Sequence, residues 1–128
     1  MTKTTMEVDA DLRQLASARS GIVARVAAWD VPVDRGVLAL LVSELVANAV
    51  EHGLPPIVAS VEWDGSRVRV EVSDSSPELP IHHQPAPSDA GGRGIWLVDH
   101  SASAWGIERT ARGKTVWFEL RSAFDPAV

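Results

Sequence analysis

One stretch limits the possible folds more than any other. From Asp34 to Gly53 the chain is punctuated at both ends and apolar along much of its length. Asp34 is a good helix N-cap, and Gly53 followed by Pro55 and Pro56 is a stop signal. Between them Val37, Leu38, Leu41, Leu45, Val46, Ala49 and Val50 supply a broad apolar face. A helix of this kind needs a second layer to cover it.

The flanking sequence supplies the elements for that layer. Before the helix, Leu12, Leu15, Ile22, Val23, Val26 and Trp29 recur at helical spacing, with Asp9 or Asp11 as cap and Pro32 beyond the end near Asp30. After it, β-branched residues dominate Ile57 to Trp63 and Val68 to Ser73, and Asp64-Gly65 between them signals a hairpin. Ser75 to Gly92 carries four prolines and few hydrophobes, which reads as a long functional loop. A short helix from Gly94 to about His100 and strands over Ala104 to Thr110 and Thr115 to Leu120 close the chain, leaving Ala123 to Val128 as a loose tail. The order α, α, β, β, loop, α, β, β predicts an α+β fold: a two-layer sandwich with helices on one face of a mixed, mostly antiparallel sheet.

At 128 residues the chain suits one domain, with its ordered part at about 7–121. Twelve basic against 17 acidic residues give a net charge of −5, a poor footprint for gripping a polyphosphate backbone, so nucleic-acid binding is not expected. The absence of cysteine excludes a disulfide framework and thiolate zinc sites. Met1 to Arg13 is too polar for a secretory signal, and the apolar run Val37 to Val42 is too short to span a membrane, so the reading is a cytoplasmic protein.

Four polar constellations carry possible chemistry. Glu44, Asn48 and His52 lie four apart and form a stripe on the second helix. A carboxylate and an amide one turn apart can divide two tasks, Glu44 accepting a proton or aligning water while the Asn48 oxygen ligates a hard cation. Asp74 stands where the second strand runs out, placed to accept from an exocyclic amine, with Ser75 and Ser76 after it. Gly91-Gly92-Arg93-Gly94 leads into Ile95-Trp96-Leu97-Val98, an arrangement that brings backbone N–H groups to a phosphate at a helix start. Gly113-Lys114-Thr115 sits in the last hairpin, where Lys114 reads as an exposed turn charge. Taken singly, each has an ordinary explanation: a solvated helix face, an Asp opening a turn, a hinge, a turn lysine. His82 and His83 in the long loop, and His100, lack a clustered third ligand and are not read as a metal site. Trp63, Trp96, Trp105 and Trp117 read as core and interface filler.

Together and in this order, the four constellations resemble the GHKL ATPase superfamily. Glu44-Leu-Val-Ala-Asn48-Ala-Val-Glu-His52-Gly53 resembles its N box, Val72-Ser-Asp74 the first glycine box, Gly92-Arg-Gly94-Ile95-Trp-Leu-Val98 the second and Gly113-Lys-Thr115-Val-Trp-Phe118 the third. The likeness runs from roughly Leu12 to Leu120, and the Asn-Ala-Val-Glu-His-Gly ending is most similar to the anti-sigma-factor serine/threonine kinases.

The resemblance implies the following roles. Glu44 is the general base and Asn48 the Mg²⁺ ligand. Asp74 reads the adenine of ATP with Thr115 nearby, and His52 and Ser76 belong to the same pocket. Ser75 to Gly92 is the ATP lid, and Gly92, Arg93, Gly94 and Ile95 meet the phosphates. It further implies an anti-sigma antagonist as phosphate acceptor, a sigma factor as second partner, contact through Arg19 on the first helix, and a homodimer. The alternative is a non-catalytic module that holds a partner with or without nucleotide. One departure favours it: where the family has Asp-x-Gly-x-Gly, this chain has Asp74-Ser75-Ser76-Pro77-Glu78. Ser76 brings a Cβ, which disfavours positive φ and weakens a close backbone approach to the base.

Overall fold

The structure, a computed structural model, describes residues 2–77 and 94–123. The elements are β1 (Thr2–Val8), a 3-10 turn (Leu12–Gln14), α1 (Leu15–Ala28), α2 (Arg35–His52), β2 (Ile57–Trp63), β3 (Arg67–Asp74), α3 (Gly94–Ser101), β4 (Ala104–Thr110) and β5 (Gly113–Arg121).

The helix that dominates the sequence forms as predicted. Asp34 accepts the Val37 N–H at 3.0 Å, and the Gly53 N–H closes the last turn on the Ala49 carbonyl at 2.8 Å. α2 packs against α1, α3 and the sheet. Its Leu38, Leu41, Val42, Leu45 and Val46 are buried with Ile22 and Val26 of α1 against Ala59, Val61, Val70, Val72 and Phe118 of the strands. Each fully buried Leu contributes about 2 kcal/mol of transfer free energy.

The sheet order is β1-β2-β3-β5-β4, and all four pairings are antiparallel, in keeping with the mostly antiparallel sheet predicted. Asp64 builds the predicted hairpin by accepting the N–H groups of Ser66 and Arg67, each at 2.8 Å, while Gly65 takes a φ of 97°.

Two features depart from the sequence reading. β1 occupies a stretch that carried no strand prediction, because it is held by its ladder to β2 more than by burial: of its seven residues only Val8 is buried. Asp11 caps the 3-10 turn, accepting the Arg13 N–H at 2.9 Å, so α1 itself begins later, at Leu15.

The face of the sheet turned away from the helices centres on Arg69. Its Nε lies 2.7 Å from Glu71, with Glu119, Glu108 and Glu62 within 4.0 Å, and its guanidinium stacks 4.0 Å from the Trp117 ring. Partial burial works against the charge, but Glu71 and Glu119 outweigh it and hold the group above its ordinary range. Gly106 backs this stack, since a Cβ there would meet the Trp117 ring at 2.8 Å. Trp117 is therefore part of an outer-face cluster and not core filler, whereas Trp63 and Trp105 pack against the core as predicted.

Candidate functional site

β3 and β5 pair in the register Val72↔Val116, Ser73↔Thr115 and Asp74↔Lys114. Side chains alternate faces along a strand, so Asp74 and Lys114 share the helix-covered face with the buried Val72 and Val116. Ser73 and Thr115 point to the other face, where their hydroxyls meet at 2.8 Å. This corrects two expectations. Thr115 does not face the side that holds Asp74, and Lys114 is not an exposed turn charge. The reason is that β5 starts at Gly113, earlier than predicted, which draws Lys114 into the ladder on its inner face.

The two ends of this pair are almost sealed. Lys114 Nζ lies 3.1 Å from both Asp74 oxygens, and the side chains are 2% and 1% exposed. Asp74 Oδ1 also accepts the Ser76 N–H at 2.8 Å. Removing one partner from a buried pair of this kind costs about 3–5 kcal/mol, because the other charge is left uncompensated.

Two glycines shape the carboxylate's seat. Gly53, at the end of α2, is so close that a Cβ would stand 2.6 Å from Asp74 Cγ and 2.7 Å from Oδ2. Gly113, with φ 152°, lies against the Asp74 backbone, where a Cβ would collide with its carbonyl oxygen. Gly53, which closes one motif, and Gly113, which opens another, thus have a common cause, close approach to Asp74. Ser75 follows as an anchor: its N–H reaches the Leu54 carbonyl at 2.9 Å, and its hydroxyl donates to Pro55 O at 2.6 Å. Ser76, where the family pattern has glycine, is buried.

On α2, Glu44 and Asn48 are half-buried, whereas His52 is exposed with its Nε2 3.7 Å from Glu51. The stripe therefore divides, two residues inside and one at the surface. Arg19 of α1 donates to Ser43 Oγ at 3.3 Å, which brings it to α2 one residue before Glu44. Gly94 opens α3, with Ile95 next, and α3 anchors through the buried Val98. Gly92, Arg93, His82, His83 and most of the long loop lie outside the described residues. His100 stacks on Trp96 with centroids 4.0 Å apart.

A nucleotide is consistent with these residues in kind. A carboxylate sits in a seat that admits no Cβ, and the helix ending there carries a half-buried carboxylate and amide. What differs is the ammonium already bonded to Asp74. The sequence reading missed Lys114 because it treated Gly113-Lys114 as a turn. Counting the alternation back from Leu120, Phe118 and Val116 would have placed it on the core side.

A model of the histidine kinase-like ATPase domain matches residues 8–120. The chain belongs to the histidine kinase-like ATPase family. Among solved structures it is similar to the RsbU and RsbW domains of Rv1364c from Mycobacterium tuberculosis, at 23% identity and a TM-score of 0.69, covering 95% of this chain and 33% of that one. It is also similar to the histidine kinase domain of the EL346 blue-light activated histidine kinase from Erythrobacter litoralis, at 22% identity and a TM-score of 0.52, covering 83% and 60%. This domain thus spans about a third of the first structure and three-fifths of the second, and at such identities the likeness is one of fold. No curated protein matches. No helix among the described residues of this histidine kinase-like ATPase domain is long and apolar enough to cross a membrane.

Proposed function

We propose that this domain is an ATP- and Mg²⁺-dependent serine/threonine protein kinase of the anti-sigma type, acting in the cytoplasm by partner switching. The observation that carries the reading is the seat of Asp74. The helix bearing Glu44 and Asn48 ends against Asp74 at the tip of β3, so the candidate metal and proton sites are counted off along α2 from the carboxylate at the base end of the site. In this reading the Asn48 amide oxygen holds the cation, and Gly92, Arg93 and Gly94 bind phosphates. Glu44 accepts the proton of the attacking serine hydroxyl of an anti-sigma antagonist. Bound Mg²⁺ would supply charge neutralisation on the phosphates. Arg19 and the surface around α1 would contact the sigma factor, in a homodimer.

Calorimetric titration with ATP, with and without Mg²⁺, tests this reading. Asn48→Ala should remove the Mg²⁺-dependent part of binding, and Glu44→Ala should abolish phosphoryl transfer while leaving binding within about threefold. Equal binding with and without Mg²⁺ in the intact protein would refute the role of Asn48.

A second reading, a partner-holding module without transfer, is favoured by the same pocket's alterations. Ser75 and Ser76 stand in the glycine box, and Lys114 is on the carboxylate. Absence of ATP binding by the intact protein would select it.

A further inference from the structure

Lys114 is a buried lysine for which the proposed reaction has no use. Its ammonium has three donors. Two reach the Asp74 oxygens at 3.1 Å, and the carboxylate's remaining bond is from the Ser76 N–H at 2.8 Å. Gly53 closes the Oδ2 side, with no room for even a methyl group. An exocyclic amine seeking this carboxylate finds its place taken by a stronger, charged donor.

We propose that Lys114 is the residue that sets base specificity in this pocket, by masking Asp74 from the purine 6-amino group. The inference rests on the nucleotide reading above and deepens it. With the mask in place, Asp74 does not read the base, and binding discriminates little between a 6-amino and a 6-oxo purine nucleoside triphosphate. Removing the ammonium leaves a buried carboxylate bonded to one backbone N–H, which is costly until a ligand supplies the missing donor. Adenine carries that donor at C6; hypoxanthine carries a carbonyl there instead.

The experiment is calorimetric titration with ATP and ITP at fixed Mg²⁺. Wild type should bind the two within about threefold of each other, and Lys114→Met should bind ATP at least about tenfold tighter while ITP changes by less than about threefold. Asp74→Asn combined with Lys114→Met, a neutral pair, should show no such gain. Saturating ATP should also raise the melting temperature of Lys114→Met more than that of wild type. Should Lys114→Met fail to fold, the wild-type ratio alone decides: a preference for ATP of about tenfold or more means the carboxylate is read with Lys114 present, and overturns the inference. The same holds if Lys114→Met folds and gains nothing for ATP. In either case the nucleotide reading stands. If neither nucleotide binds any variant, the nucleotide reading itself fails and the inference with it.

Discussion

Replacing Gly53 with alanine adds one methyl group at the point where α2 meets the Asp74 carboxylate. The backbone there, φ −94° and ψ −171°, suits alanine, so no dihedral strain is involved. The new Cβ would lie 2.5 Å from Ala49 O, 2.6 Å from Asp74 Cγ and 2.7 Å from Asp74 Oδ2. None of the three can retreat easily: the first is helix backbone, and the other two are tied to Lys114. The cost belongs at the upper end of overpacking, about 3 kcal/mol, offset by about 0.5 kcal/mol for the stiffer unfolded chain. At about 4 °C per kcal/mol for a domain of this size, the net loss of about 2.5 kcal/mol lowers the melting temperature by about 10 °C. Scanning calorimetry reads this directly, with Gly65→Ala as the comparison. Gly65 has nothing within 4 Å, and only its φ of 97° resists a side chain, a strain of about 1–2 kcal/mol. A Gly53→Ala melting point within about 2 °C of wild type would mean that Asp74 is not held where the structure puts it.

Two further outcomes concern the sheet. Asp64 has a lowered pKa, first because the Arg67 N–H and then the Ser66 N–H bond its charged form. Its contribution is therefore complete above the unfolded value and is lost as pH falls through the lower folded one. Asp64→Ala should accordingly flatten the loss of stability below about pH 4, as read by urea midpoints, and an unchanged acid limb would contradict this. Arg69→Met removes the cation shared by Glu62, Glu71, Glu108 and Glu119 and should cost about 2 kcal/mol, less in 1 M salt where repulsion is screened. A cost that salt does not alter would point to lost Trp117 packing instead.

The α2 helix, the β2–β3 hairpin and the two closing strands were legible because punctuation and periodicity agree in them. Asp34 and Gly53 bound one, and Asp64-Gly65 joins the next two. β1 was not, since Thr-Lys-Thr-Thr shows no alternation of apolar and polar residues, and an edge strand draws its stability from a ladder that sequence does not display. The candidate site was legible as a set of residue types but not as a partition between faces. Thr115 and Lys114 are adjacent and point to opposite faces, and reading Lys114 as part of the turn rather than of β5 hides which of them joins Asp74. The close approach at Gly53 was equally hidden, for glycine after a helix has a sufficient local explanation in the stop itself.

The contact between Gly53 and Asp74 makes α2 a gauge. Its terminal stop is seated on the carboxylate, so the rise and rotation per residue measure off where Asn48 and Glu44 stand, counted backward from that stop. One residue inserted between Asn48 and Gly53 would turn both side chains by about 100° and shift them about 1.5 Å along the axis. Loops elsewhere in this fold can lengthen at small entropic expense, each doubling adding about 0.6 kcal/mol. The interval from Glu44 to Gly53 has no such latitude, and homologous chains that keep the chemistry must keep the count.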